Sequence, residues 1–118
     1  DVALASYEAI RGILRPGTTE AEVIEAAEPI RAAGLEIYDD LVHGYGVDIM
    51  PPIVDRTQLR HPPENGGARF EQDTAIVIQP NPVTSDERMG LQLGALTVVT
   101  DGGAQSLHRV PFEPVITG

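Results

Sequence analysis

The chain changes its periodicity once, at Gly34, and that change fixes the class of fold it can reach. Before Gly34, apolar residues recur at helical spacing. Ala3, Tyr7, Ile10 and Leu14 lie along one helix face over residues 2–14, and Arg15-Pro16-Gly17 ends that helix. Thr19 and Glu22 then form a capping box, each satisfying a free backbone N–H of a second helix. Glu20 and Glu22 suit the positive end of its dipole. Val23, Ala27, Ile30 and Ala33 form its apolar stripe, Pro29 is expected to kink it, and Gly34 caps it.

After Gly34 the pattern is that of strands. Leu35 to Tyr38 alternates, and Leu41-Val42 leads into His43 and its glycines, with a Pro51-Pro52 corner beyond. Residues 55–69, with Pro62-Pro63 and Gly66-Gly67, read as a long functional or mobile loop. Strands are expected at 74–78, 91–100 and 105–110, with a turn at Asp101-Gly102-Gly103 and a short strand at Val115-Ile116. The fold class is therefore α+β: helices within 2–33, then a β region over 35–117, in one domain of 118 residues.

Composition removes several functions. The formal charge is −10 and all eight basic residues are arginine, which opposes nucleic-acid binding and anionic membrane surfaces. The chain has no Cys, so disulfides and thiolate metal sites are excluded and a reducing, cytoplasmic setting fits. No apolar run reaches the length of a membrane span. A start on Asp1, directly inside a helical pattern, suggests a fragment of something longer.

The histidines His43, His61 and His108 form no pair at zinc-ligand spacing. Asp39, Asp40, Asp48 and Asp55 bracket His43 and read mostly as solvated carboxylates; adjacent Asp39 and Asp40 would point to opposite faces of a strand. Gln79-Pro80-Asn81-Pro82 closes a strong strand, where proline cannot continue a ladder. Phosphate-loop, dinucleotide and nucleophile-elbow motifs are absent.

The order of segments carries a resemblance. A helix ends in Arg15-Pro16-Gly17. Thr19-x-x-Glu22, a helix and Gly34 follow. Then come Val42-His43-Gly44-Tyr45-Gly46-Val47-Asp48-Ile49, a strand closing on Gln79-Pro80, Gly90-Leu91-Gln92-Leu93, and the run from Thr97 to Pro111. That order resembles the C-terminal part of the pita-bread metallopeptidases: methionine aminopeptidase, aminopeptidase P, prolidase and their creatinase-like relatives. The resemblance spans nearly the whole chain and implies two helices followed by a curved antiparallel sheet. In the family, two Asp, one His and two Glu hold two metal ions. The resemblance puts His43 at the His position and Gln79 where the first Glu belongs. Gly94 stands at the second Glu, or Gln92 if the register shifts by two residues. Met50 replaces a substrate-contacting His. The two Asp belong to strands upstream of this chain.

Three functions follow as expectations. The first is a degenerate Xaa-Pro aminopeptidase or prolidase-like domain, a pseudoenzyme without resident cofactor. It would bind a peptide or protein in a groove of His43, Tyr45, Met50, Gln79 and Gln92. The second is an active hydrolase of the same family, metallo-aminopeptidase or creatinase-like, completed outside this chain. There His43 would act as base or ligand, and the divalent metal would be Mn, Co or Zn. The third is a structural piece that self-associates or pairs with a missing N-terminal segment, because missing strands would leave a sheet edge and an apolar face open.

Overall fold

The computed structural model describes residues 2–37, 40–45, 49–86, 90 and 94–106, and only the backbone of 49 and 50. It is α+β, with an antiparallel sheet covered on one side by helices.

Helix α1 (Val2–Ile13) buries Ala3, Tyr7 and Ile10, the stripe read from its spacing. Its successor differs from expectation. Instead of one kinked helix there are two short ones, α2 (Glu20–Ala26) and α3 (Glu28–Ala32), parted at Ala27. Pro29 sits at the start of α3, where its missing N–H leaves no helical bond unmade. The capping box of Thr19 and Glu22 is present in both directions.

Strands β1 (Glu36–Ile37) and β5 (Pro82–Val83) form a two-stranded ribbon. The main sheet has the order β3-β2-β4-β6-β7, built from β2 (Asp40–Tyr45), β3 (Ile49–Asp55), β4 (Ala75–Ile78), β6 (Ala95–Thr100) and β7 (Gly103–Ser106). The Pro51-Pro52 corner is instead part of β3. One step along β2, from His43 to Gly44, corresponds to the span from Ile53 to Met50 on β3, so both prolines are spelled out of the register. Neither can donate to a ladder, and β3 is an edge strand where that loss is tolerated. The third expected strand begins earlier, at Gly103; residues 107–110 and 115–116 lie outside the described residues.

The loop expected over 55–69 is corrected in two ways. Residues Arg56–Arg60 form a short helix, α4, capped by Asp55, whose carboxylate accepts from the N–H groups of Thr57 and Gln58. Gln58 answers by accepting from Asp55 N–H at 2.9 Å. Beyond α4 the chain is pinned by Glu20, only 8% exposed. Its carboxylate accepts from Ala68 N–H at 2.6 Å and from the Gln58 side chain at 2.7 Å. Gly67 has φ +76°, and a Cβ there would collide with that carboxylate, so glycine is required.

The core lies between helices and sheet. Val42, Ile76, Ile78, Ala95 and Val99 point from the sheet toward Tyr7, Ile10, Leu14, Val23 and Ile30. Burial alternates along β4 and β6, as a pleated sheet with one covered face requires. Each such isoleucine or valine contributes roughly 1.5–3 kcal/mol by leaving water. Buried Thr97 meets its polar demand by donating to the Ile76 carbonyl at 3.0 Å.

Candidate functional site

His43 lies in the middle of β2, with Ile53 opposite it on β3 and Val77 opposite it on β4. Val77 in turn faces Leu96 on β6. Residues directly opposite one another share a sheet face, so Ile53, His43, Val77 and Leu96 form one row on the side away from the helices. Ile53, Val77 and Leu96 are half-buried, whereas His43 between them is 6% exposed. Tyr45, two residues further along β2, shares that face and is exposed.

The ring of His43 is oriented by its own strand. Nδ1 lies 2.9 Å from the Gly44 carbonyl. A carbonyl can only accept, so Nδ1 carries the proton and Nε2 of the neutral ring is left as an acceptor.

Gln79 continues the β4 ladder by one rung, its N–H donating to the Leu41 carbonyl at 2.8 Å. Two residues past Val77, it projects to the His43 side. Its amide N–H donates to Asp40 Oδ1 at 2.7 Å. A β-bulge at Leu41 makes this possible: Asp40 pairs with Asp55 and Val42 with Val54, leaving Leu41 extra. Leu41 and Val42 are thus both buried, and Asp40 lies beside Gln79. Gly94 adjoins the same spot, since a Cβ added there would meet Gln79 Cβ at 3.5 Å, an ordinary contact.

His43, Gln79 and Gly94, assigned from three distant segments, therefore do converge on one region of the open face. Asp40, read from the sequence as one of the mostly solvated carboxylates, is instead bound to Gln79, a partnership that depends on a bulge no spacing announces. Two of the carboxylates read as solvated are engaged: Asp40 with Gln79, and Asp55 as the cap of α4. Asp39, Asp48, Gln92 and His108 lie outside the described residues, as does the side chain of Met50, which stands opposite Gly44. His61 follows α4, exposed and apart from this region.

These residues do not fit a two-metal centre. Among the described residues no group of three or more His, Asp or Glu is placed to hold an ion. Gln79 is neutral and already donates to Asp40, and Gly94 supplies no side-chain ligand atom. The arrangement offers an apolar row, one imidazole acceptor and one oriented amide.

Comparison of the backbone with solved structures identifies the architecture. A dipeptidase PepE from Mycobacterium ulcerans superposes with a TM-score of 0.74 at 25% identity, over 95% of this chain and 29% of that one. An Xaa-Pro dipeptidase from Bacillus anthracis gives 0.78 at 18% identity, over 98% and 31%. A methionine aminopeptidase from Rickettsia prowazekii gives 0.71 at 15% identity, over 89% and 49%. The chain carries the fold of the pita-bread metallopeptidases. It spans about a third to a half of the length of these pita-bread structures. No family model matches the sequence, and no curated protein is significantly similar to it. Among the described residues no helix is long and apolar enough to cross a membrane.

Proposed function

We propose that this chain is a degenerate Xaa-Pro aminopeptidase or prolidase-like domain that has lost most of its metal ligands and binds an extended peptide or protein segment along its open sheet face. One observation carries the reading. At the strand end where the resemblance expects a metal-binding glutamate, Gln79 donates to Asp40 at 2.7 Å, replacing a charge with a closed hydrogen bond. The row Ile53, Val77 and Leu96 supplies the apolar surface, and exposed Tyr45 adds an aromatic contact at its end. The same open face supports pairing with a second copy or with a segment of a longer chain. A chain without cysteine suits a reducing, cytoplasmic compartment.

The alternative is an active hydrolase completed by residues outside this chain. The Nδ1 contact of His43 with the Gly44 carbonyl favours it, because in the neutral ring it leaves Nε2 to act as base or ligand. Titration with a pentapeptide of Xaa-Pro sequence, with and without added Mn²⁺, separates the two. The binding reading predicts shifted amide resonances at His43 and Val77 and an intact peptide. Cleavage that depends on Mn²⁺ and disappears in His43→Ala would establish the hydrolase instead.

A further inference from the structure

The segment from Gly66 to Phe70 runs as a strap against residues 17–21. Phe70 N–H donates to the Thr18 carbonyl at 2.7 Å, and the Phe70 carbonyl accepts from Gly17 N–H at 2.8 Å. A helix opens with N–H groups that its own turns leave unpaired. In α2 the first two belong to Glu20 and Ala21, and the strap serves both. Glu20 N–H donates to the Ala68 carbonyl and Ala21 N–H to the Gly66 carbonyl, each at 3.0 Å. Glu20 holds the strap in return, its carboxylate accepting from Ala68 N–H. These bonds fix one register, which depends on the length of backbone that enters the strap at Gly66.

The residue at that entry is Asn65. It is exposed, in a turn closed by Gly66 N–H on the Pro63 carbonyl. At 3.3 Å that bond is longer than the usual N–H···O range, so the Gly66 nitrogen is weakly held. Glycine carries no side chain to shield the Asn65 carboxamide from the nitrogen that follows it. The chain's other asparagine, Asn81, is buried and precedes Pro82, which has no N–H to lose.

We propose that Asn65 is a site of spontaneous deamidation and that its isoaspartyl product releases the strap from α2. The Gly66 nitrogen, its proton lost to hydroxide, attacks Asn65 Cγ. The new C–N bond closes a succinimide as the bond from Cγ to the amide nitrogen breaks, and ammonia leaves with a proton taken from water. Water then opens the ring. Cleavage at Cγ gives an aspartate at position 65 with the original backbone. Cleavage at the main-chain carbonyl gives isoaspartate, with the backbone rerouted through Cγ. The net change is amide plus water to carboxylic acid plus ammonia. The isoaspartyl form carries one more methylene in the main chain just before Gly66. That insertion moves the Gly66 carbonyl off Ala21 and draws Ala68 N–H from Glu20. The inference is independent of the peptide-binding reading, since none of these residues belongs to the face of His43 and Gln79.

Incubation of the folded chain at mildly alkaline pH, followed by tryptic mass spectrometry, tests the site. The peptide His61–Arg69 is expected to exchange its side-chain NH2 for OH and to divide into aspartyl and isoaspartyl forms. Only the latter should be methylated by an isoaspartyl methyltransferase. The peptide that holds Asn81 should keep its amide, and so should His61–Arg69 of Asn65→Gln. Hydrogen exchange at Ala21 and Ala68 should quicken about tenfold in the isoaspartyl fraction. It should stay at the parent rate in Asn65→Asp, which adds the charge without the methylene. The proposal is overturned if the folded chain keeps its Asn65 amide while a synthetic His61–Arg69 peptide loses it. It is equally overturned if the isoaspartyl fraction exchanges as the parent does, or if Asn65→Asp exchanges as fast as the isoaspartyl fraction.

Discussion

Val42 and His43 are consecutive residues of β2, and the pleat sends them to opposite sides. Val42 enters the core with Ile78 and Ala95. His43 faces the row of Val77 and Leu96, beside Gln79. On the covered face, every side chain must fit the volume left by the helices, because interiors are packed without voids. On the open face, chemistry can change without disturbing that packing. Gln79 illustrates this. Its backbone N–H completes the ladder whatever the side chain is, while its amide closes on Asp40. Fold and chemistry are carried by alternate residues of the same strands, so residues of the open face can change while the fold is kept.

The sharpest way to break this comparison is to truncate neighbours on β4. Ile78→Ala removes a fully buried side chain and is expected to cost about 3–4 kcal/mol in urea denaturation. Val77→Ala, one residue away on the open face, should cost about 1 kcal/mol or less. Equal losses would mean that the open face is packed like the core.

A smaller effect is expected at Gln79. Gln79→Glu removes the donor that holds Asp40 and sets two carboxylates against each other. Stability near neutral pH should fall by about 1–2 kcal/mol and recover as the pH drops into the carboxylate range, where one of the pair takes up a proton. Thermal unfolding of the variant across pH checks this. A variant as stable as the parent at neutral pH would mean that the amide lock contributes nothing.

The smallest effect belongs to the edge of the molecule. Hydrogen bonding from Arg60, with the charges of Arg60 and Arg56, holds the Glu36 carboxyl below its ordinary value. Because the folded pKa lies below the unfolded one, this contribution is present above about pH 4.3 and is lost as the pH falls through the folded value. Glu36→Gln should therefore narrow the gap between neutral and acid melting temperatures, slightly, since the group is partly exposed. An unchanged pH profile would show that these ion pairs do not couple to folding.

How much of this was legible in the sequence depended on whether the signal was local. The helical stripe of Ala3, Tyr7 and Ile10 and the capping box of Thr19 and Glu22 are local, and both are present. The helix at 56–60 also had a local signal, Asp55 with Gln58 as a capping box, but the prolines and glycines beyond it dominated the reading. Pro51-Pro52 looks like a corner in the sequence because proline inside a strand needs an edge and a bulge, and both are properties of the sheet. The site divides in the same way. The resemblance supplied His43, Gln79 and Gly94 one by one. Their convergence, and the role of Asp40, arise from register between strands far apart in the chain.

The central claim is that the peptidase fold stands here without metal ligation. Calorimetric titration of Mn²⁺, Co²⁺ and Zn²⁺ into the chain and into His43→Ala tests it most directly. The account predicts no micromolar binding to either protein. Micromolar binding to the parent that is lost in His43→Ala would contradict it, and would mean that carboxylates such as Asp39, Asp40 or Asp48 complete a working site around His43.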